Sequence, residues 1–147
     1  MLINKNGDIL KSTENIICHQ CNTQGIFGWG LAYQIKGTYP NCELSAINHV
    51  RTLRGKCDVV GTYNVYYINN QQEICNCFTQ LENFDTDYLA IEVVFRDILN
   101  YCKEFNKTIC VPYKYGSGIA NGDWDKIKEI FERLSDEYKV DISVYKL

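Results

Sequence analysis

Apolar and polar positions along the chain fall into runs of two kinds. Near-continuous apolar runs, "NIICHQC" at 15–21, "EICNCF" at 73–78 and "TICVPY" at 108–113, read as strands buried on both faces. Helical spacing marks "WGLAYQIKGTY", which stops before Pro40, and "CELSAINHVRTL", which ends at "RGK". It marks also "TDYLAIEVVFRDILNYCKEFN", with Asp85, Thr86 and Asp87 as N-cap candidates, and "DWDKIKEIFERLSDEY". In the longest of these, Leu89, Ile91, Val94, Phe95, Ile98, Leu99, Cys102 and Phe105 line one face. The remaining β-like runs are a short strand around Leu2 to Lys5, "CDVVGTY", "NVYYIN" and a closing "VDISVYKL". Polar "NQQ" joins "NVYYIN" to "EICNCF" as a hairpin. Strands alternating with helices, interrupted by one hairpin, predict an α/β fold with a mixed, mostly parallel sheet and helices on both faces.

In such sheets ligands bind beyond the carboxyl ends of the strands, and two glycine-bearing loops fall there. "CHQCNTQGIFGWGLAYQI" (18–35) runs from strand through Gly25, Gly28 and Gly30 into a helix. "VPYKYGSGIANGDWDKI" does the same through Gly116, Gly118 and Gly122. Each presents backbone N–H groups near a helix start, where donors are unpaired and the dipole favours anions. One such loop can be a mere turn; two at equivalent junctions point to a phosphate-type ligand. The spacing G-x-x-G-x-G is not the dinucleotide fingerprint, and no G-K-[ST] is present, so neither an NAD-dependent oxidoreductase nor an ATPase is supported.

Composition narrows the class without naming it. A chain of 147 residues, 46% hydrophobic and 22% charged, is expected to form one soluble globular domain over residues 1–147, acting as a monomer. A net charge of −3 argues against bulk binding to duplex nucleic acid. With no apolar run of eighteen residues and no secretory signal in "MLINKNGDIL", no membrane partner and a cytoplasmic location are expected. Eight cysteines, several in the β-like runs, then read as reduced, buried thiols. Cys18-His19-x-Cys21 with Cys75-x-Cys77 lacks paired C-x-x-C knuckles, so no metal is expected.

The ordered stretches "NGDIL", "HQCNTQGIFGWGLAYQI" and "VPYKYGSGIANGDWDKI", with a terminal "ISVYKL", resemble the macro domain over nearly the whole chain. The likeness is closest to the small single-domain branch that includes ADP-ribose-1''-phosphate phosphatases and terminal ADP-ribose protein glycohydrolases. It implies a three-layer α/β/α fold and a crevice that takes ADP-ribose, ADP-ribose 1''-phosphate or ADP-ribosylated macromolecules, with no cofactor. By resemblance, Asp8 and the Ile9 backbone would hold adenine, and Asn22 the distal ribose. Gly25, Ile26, Phe27, Gly28, Trp29, Gly30 and Leu31 would form the first phosphate loop. Gly116, Ser117, Gly118, Ile119 and Ala120 would form the second. Read as residues alone, Asp8 is better taken as a turn aspartate beside Gly7, and Asn22 is equally a turn-capping asparagine.

Three activities follow from the resemblance. A glycohydrolase of this branch uses a lysine and an aspartate, and here Gln80 and Ala120 stand near those positions. Gln forms no Schiff base, so such an activity would need other residues. Asp123, three residues on, reads as a helix cap, and Trp124 as an anchor of that helix. "HQCN" is similar to "HSCN" of a fungal phosphatase in the branch, so His19 is the candidate for proton transfer or nucleophilic attack, with Asn22 orienting the ribose. The bland alternative for His19 is a core histidine; His49, in a predicted helix, reads as surface. Hydrolysis of the terminal phosphate of ADP-ribose 1''-phosphate is the favoured expectation. A non-catalytic reader or sequestering module is the alternative, and a de-ADP-ribosylating glycohydrolase the second. Trp29 replaces the small residue usual between the last two glycines; it can pack into the core or stand over the ribose.

Overall fold

The computed structural model describes residues 1–118 and 120–147; Ile119 lies outside the described residues. Among the described residues six strands and four helices follow one another. They are β1 (Leu2–Asn6), β2 (Ile16–Gln20), α1 (Gly30–Thr38), α2 (Pro40–Leu53), β3 (Thr62–Tyr67), β4 (Glu73–Phe78), α3 (Tyr88–Phe105), β5 (Ile109–Pro112), α4 (Trp124–Tyr138) and β6 (Ile142–Lys146). The strands form one sheet in the order β1-β6-β5-β2-β4-β3. All neighbours run parallel except β3, which pairs antiparallel with β4 as the other arm of the expected hairpin.

Side-chain alternation along the strands divides the core in two. Ile16, Cys18, Cys75, Cys77, Ile109, Val111, Ile142 and Val144 pack on one face against α3 and α4. Ile17, Ile74, Phe78 and Cys110 pack on the other against Ile35 of α1 and Cys42, Ala46 and Val50 of α2. The result is the expected three-layer α/β/α arrangement with a mixed, mostly parallel sheet. Seven of the eight cysteines are buried free thiols; Cys57 is exposed. No described helix is long and apolar enough to cross a membrane.

Helix α3 buries Ile91, Val94, Phe95, Ile98, Leu99 and Cys102, an i, i+3, i+4 stripe. Of its three cap candidates Asp87 does the work, accepting hydrogen bonds from Leu89 N at 3.0 Å and Ala90 N at 3.3 Å. Replacing Asp87 with Ala should lower stability by about 1 kcal/mol, read as a shift of the urea midpoint without a change of slope.

Three local expectations need correction. Leu89 and Phe105, expected on the inner face of α3, stand exposed at its two ends, outside the buried stripe. The run "CDVVGTY" is not a strand before Thr62. Asp58 accepts from Val60 N at 3.0 Å, Thr62 N donates to Val59 O at 3.1 Å, and Gly61 has φ +90°. Turn chemistry there overrides the β-branched pair. His49, expected at the surface, is half-buried: its ring stacks on Phe78 with centroids 5.0 Å apart and its Nε2 lies 3.0 Å from Thr62 Oγ1.

Candidate functional site

Strand β2 lies between β5 and β4, all three parallel, so the loops 21–29, 79–87 and 113–123 leave the sheet side by side at its carboxyl edge. Between them is a cavity of about 450 Å³. A larger hollow of about 560 Å³ lies between β3 and α3, lined by residues such as Tyr63, Arg96 and Asp97. It reaches the Gly61 turn and the start of β3 but lies away from the carboxyl ends of β2 and β5 and from the loops 21–29 and 113–123, which leaves the carboxyl-edge cavity as the candidate site.

The loops are stitched to one another by a directed chain of hydrogen bonds. Thr86 Oγ1 donates to the Gly116 carbonyl at 2.6 Å and accepts from Gln20 Nε2 at 3.1 Å. Gln20 Oε1 accepts from Thr79 Oγ1 at 2.8 Å, which leaves the Tyr115 hydroxyl, 2.7 Å from Thr79, as the donor at the head of the chain. Thr86 N also donates to Ala120 O at 3.1 Å. The first loop is held from below: the buried Glu43 carboxylate accepts from Phe27 N at 2.8 Å and pairs with Lys36 at 3.3 Å.

Glycines in these loops fall into two groups. A Cβ on Gly25, whose φ is +73°, would lie 2.9 Å from the Ala46 carbonyl carbon, and one on Gly122 only 2.3 Å from Gly116 O. The fold itself requires these two. Gly28 and Gly118 border the cavity in ordinary backbone conformations, and a Cβ on either would meet nothing within 4 Å among the described residues.

The residues singled out from the sequence are distributed as follows. His19, Asn22, Ile26, Gly28, Trp29, Gly30, Leu31, Gln80, Gly116, Gly118 and Ala120 border the cavity. Phe27 points into the core at 1% exposure, and Gly25 is buried under the loop. Ser117 is half-buried, its hydroxyl 3.4 Å from Tyr115 O. Asp8 caps a short 3-10 turn, accepting from Leu10 N at 2.9 Å, and Ile9 is a core residue; neither borders the cavity. Ile119 is outside the described residues. Asn22 spends most of its amide on its own loop: Oδ1 accepts from Gln24 N at 3.1 Å and Ile26 N at 3.2 Å, and Nδ2 donates to Ile26 O at 2.8 Å. One Nδ2 hydrogen remains for a ligand. Trp29 is 61% exposed at the cavity wall. Asp123 caps α4 through Asp125 N at 2.9 Å, and Trp124 packs edge-on against Phe131 and Tyr113.

His19 is 2% exposed. Its Nε2 lies 2.6 Å from Asn76 Oδ1, its ring meets Phe27 edge to face at 5.1 Å, and its Nδ1 has no hydrogen-bond partner among the described residues. Burial pushes its pKa from 6.5 down to about 4, only partly offset by the Asn76 hydrogen bond, so the ring is neutral at pH 7. Burial also pushes up the neighbouring thiols, Cys42 to about 12 and Cys21 well above its ordinary value, so neither is a thiolate nucleophile. Because an unfolded histidine titrates near 6.5, the unfolded chain binds more protons between pH 6.5 and pH 4. The stability held by the neutral ring is present above pH 6.5 and lost as pH falls through about 4, in total about 3 kcal/mol. The urea midpoint of the wild type should therefore drop more steeply between pH 7 and pH 5 than that of His19→Gln. Burial lowers the pKa of His49 too, and it contributes in the same direction to both proteins.

Sequence reasoning passed over Asn76, Phe84, Tyr113 and Lys114. The last three border the cavity, and Phe84 and Lys114 have left-handed backbones at φ +70° and +59°. Only Asn76 carried a visible signal, an amide in the middle of a fully buried strand. Among the described residues no three His, Cys, Asp or Glu side chains gather as a metal site.

With that geometry in place, comparison with known proteins is informative. The macrodomain of Mycobacterium tuberculosis DarG superposes with a TM-score of 0.82 at 22% identity, over 100% of this chain and 98% of that one. Thermosipho africanus DarTG, solved in complex with ADP-ribose, superposes with a TM-score of 0.79 at 18% identity, over 97% of this chain and 41% of that one. The chain has the macrodomain fold. In sequence it is 28% identical over 130 residues to an uncharacterized 17.5 kDa protein of Enterobacteria phage T4, covering 84% of this chain and 82% of that protein. It is 26% identical to an ADP-ribose 1''-phosphate phosphatase of Candida glabrata, covering 96% of each. No protein-family model matches the chain.

Proposed function

We propose that the chain binds ADP-ribose or a close derivative in the carboxyl-edge cavity and hydrolyses the terminal phosphate of ADP-ribose 1''-phosphate. The observation that carries the reading is the division among the glycines. Among the described residues nothing stands within 4 Å of where a Cβ on Gly28 or Gly118 would lie, and neither has a left-handed backbone, so their bareness fits a ligand that approaches the backbone. A diphosphate fits amides at helix starts, and Lys114 at the cavity wall adds a cation. The Candida phosphatase and the ADP-ribose complex of the Thermosipho protein point to the same ligand class.

The neutral His19 then acts first as a base. A water oxygen bonds to the terminal phosphorus and the bond from phosphorus to the ribose oxygen breaks. The proton given up by the water passes through His19 to the departing ribose oxygen. A binding-only module is the second reading, favoured by the absence of any Asp or Glu among the described cavity-lining residues. Gln80 and Ala120 border the cavity without offering a nucleophile or a carboxylate, which gives the glycohydrolase reading no support from its usual pair.

Two measurements test this. Calorimetry with ADP-ribose should show binding tighter than millimolar; weaker binding overturns the shared premise. Phosphate release from ADP-ribose 1''-phosphate by the wild type supports the phosphatase, and binding without release leaves the module reading.

A further inference from the structure

His19 is one end of a side-chain relay that leaves the cavity and runs to helix α2. Its Nε2 meets Asn76 Oδ1 at 2.6 Å; Asn76 Nδ2 donates to Asn64 Oδ1 at 3.1 Å; Asn64 Nδ2 donates to Ser45 at both its carbonyl oxygen, 3.3 Å, and its Oγ, 2.7 Å. The relay crosses from β2 through β4 and β3 to α2, and Asn76 within it is fully buried.

Its direction follows from the far end. The Ser45 carbonyl can only accept, so the Asn64 amide must turn its Nδ2 there and its Oδ1 toward Asn76. Asn76 must then turn Nδ2 to Asn64 and Oδ1 to His19. Cys42 Sγ, 3.4 Å from Asn76 Oδ1, donates to the same oxygen. His19 Nε2 also lies 3.5 Å from Cys21 Sγ, but the Asn76 acceptor is far closer at 2.6 Å, so the ring proton sits on Nε2 and Nδ1 carries a bare lone pair. The other tautomer would need both amides reversed, ending with an amide oxygen against the Ser45 carbonyl oxygen. A buried, unpaired ring nitrogen costs about 1–3 kcal/mol unless something meets it, and His19 borders the cavity.

We propose that Asn76, oriented by Asn64 and the Ser45 carbonyl, is a positioning residue that fixes the His19 tautomer and leaves Nδ1 as a proton acceptor toward the ligand. This rests on His19 being the reacting side chain and decides its part: Nδ1 receives a proton before it can give one. His19 cannot start the reaction as an acid from that nitrogen.

The test is a long-range proton–nitrogen correlation spectrum of the full chain labelled with ¹⁵N, at pH 7, with His49→Gln used to tell the two histidines apart. Nε2 of His19 should resonate as a protonated ring nitrogen and Nδ1 as an unprotonated one. A proton on Nδ1, or the averaged pair of a free imidazole, overturns the proposal. Asn76→Ala risks misfolding at a buried site, so the relay is broken at half-buried Asn64 instead. Asn64→Ala should give a mixed His19 tautomer; an unchanged tautomer overturns the relay. In phosphate release the same variant should lose on the order of 10-fold in kcat with KM held, the scale of losing an outer hydrogen-bond partner of a functional histidine. If the wild type releases no phosphate, the functional reading fails while the spectra still decide the relay.

Discussion

Phosphate release from ADP-ribose 1''-phosphate should fall by about 10²- to 10⁴-fold in His19→Ala, the range expected for loss of a general base. Affinity for ADP-ribose, which lacks the reacting phosphate, should change far less. The contrast matters because His19 is also a core side chain, 2% exposed and packed edge-on against Phe27. Its truncation leaves a void and lowers stability as well. Activity is therefore compared with that of His19→Gln, at a temperature where far-ultraviolet circular dichroism shows both variants folded. Equal release by wild type and both variants would remove His19 from the chemistry while leaving the cavity as a binding site.

The second large effect separates the two groups of glycines. Gly122→Ala should destabilise by about 1–3 kcal/mol or more, because the new methyl would stand 2.3 Å from a backbone oxygen that cannot rotate away. Gly28→Val should leave the melting temperature unchanged or slightly raised, since the backbone accepts the side chain and the unfolded chain loses freedom. Its cost should appear in calorimetry, as ADP-ribose affinity at least about 10-fold weaker, or about 1.4 kcal/mol. Undiminished affinity in Gly28→Val would mean that nothing approaches that backbone, and the argument from bare glycines would fail.

Much of the scaffold could be read from patterning because the elements obey local rules. Buried strands such as "EICNCF" have no polar face to show, and the α3 stripe is a clean helical repeat. Strand–glycine–helix order was enough to bring the two loops to one edge, since parallel strands put equivalent junctions on the same side. The run at 57–63 misled because Asp58 and Gly61 outweigh two valines. Within the site, the limit was distance along the chain. Asn76 was conspicuous as a buried amide, yet its partners His19 and Asn64 are set by sheet pairing and by a hairpin register that sequence alone does not number. Asn22 carried two readings, and the structure shows its amide largely engaged with Gln24 and Ile26. The exposure of Trp29 depends on how α1 leaves the loop, a tertiary matter with no local signature.

Helix α1 begins differently from α3 and α4. Asp87 and Asp123 supply acceptors to the first turns of α3 and α4. Trp29 stands in the same place before α1, and an indole has no acceptor to give. The N–H groups of Gly30, Leu31 and Ala32 precede the first intrahelical partner, and these residues border the cavity. A bound diphosphate would complete a helix that the chain itself leaves unfinished. Amide hydrogen exchange should report this directly: the opening turn of α1 exchanges fast in the free protein and slows when ADP-ribose is added, while the starts of α3 and α4 keep their rates.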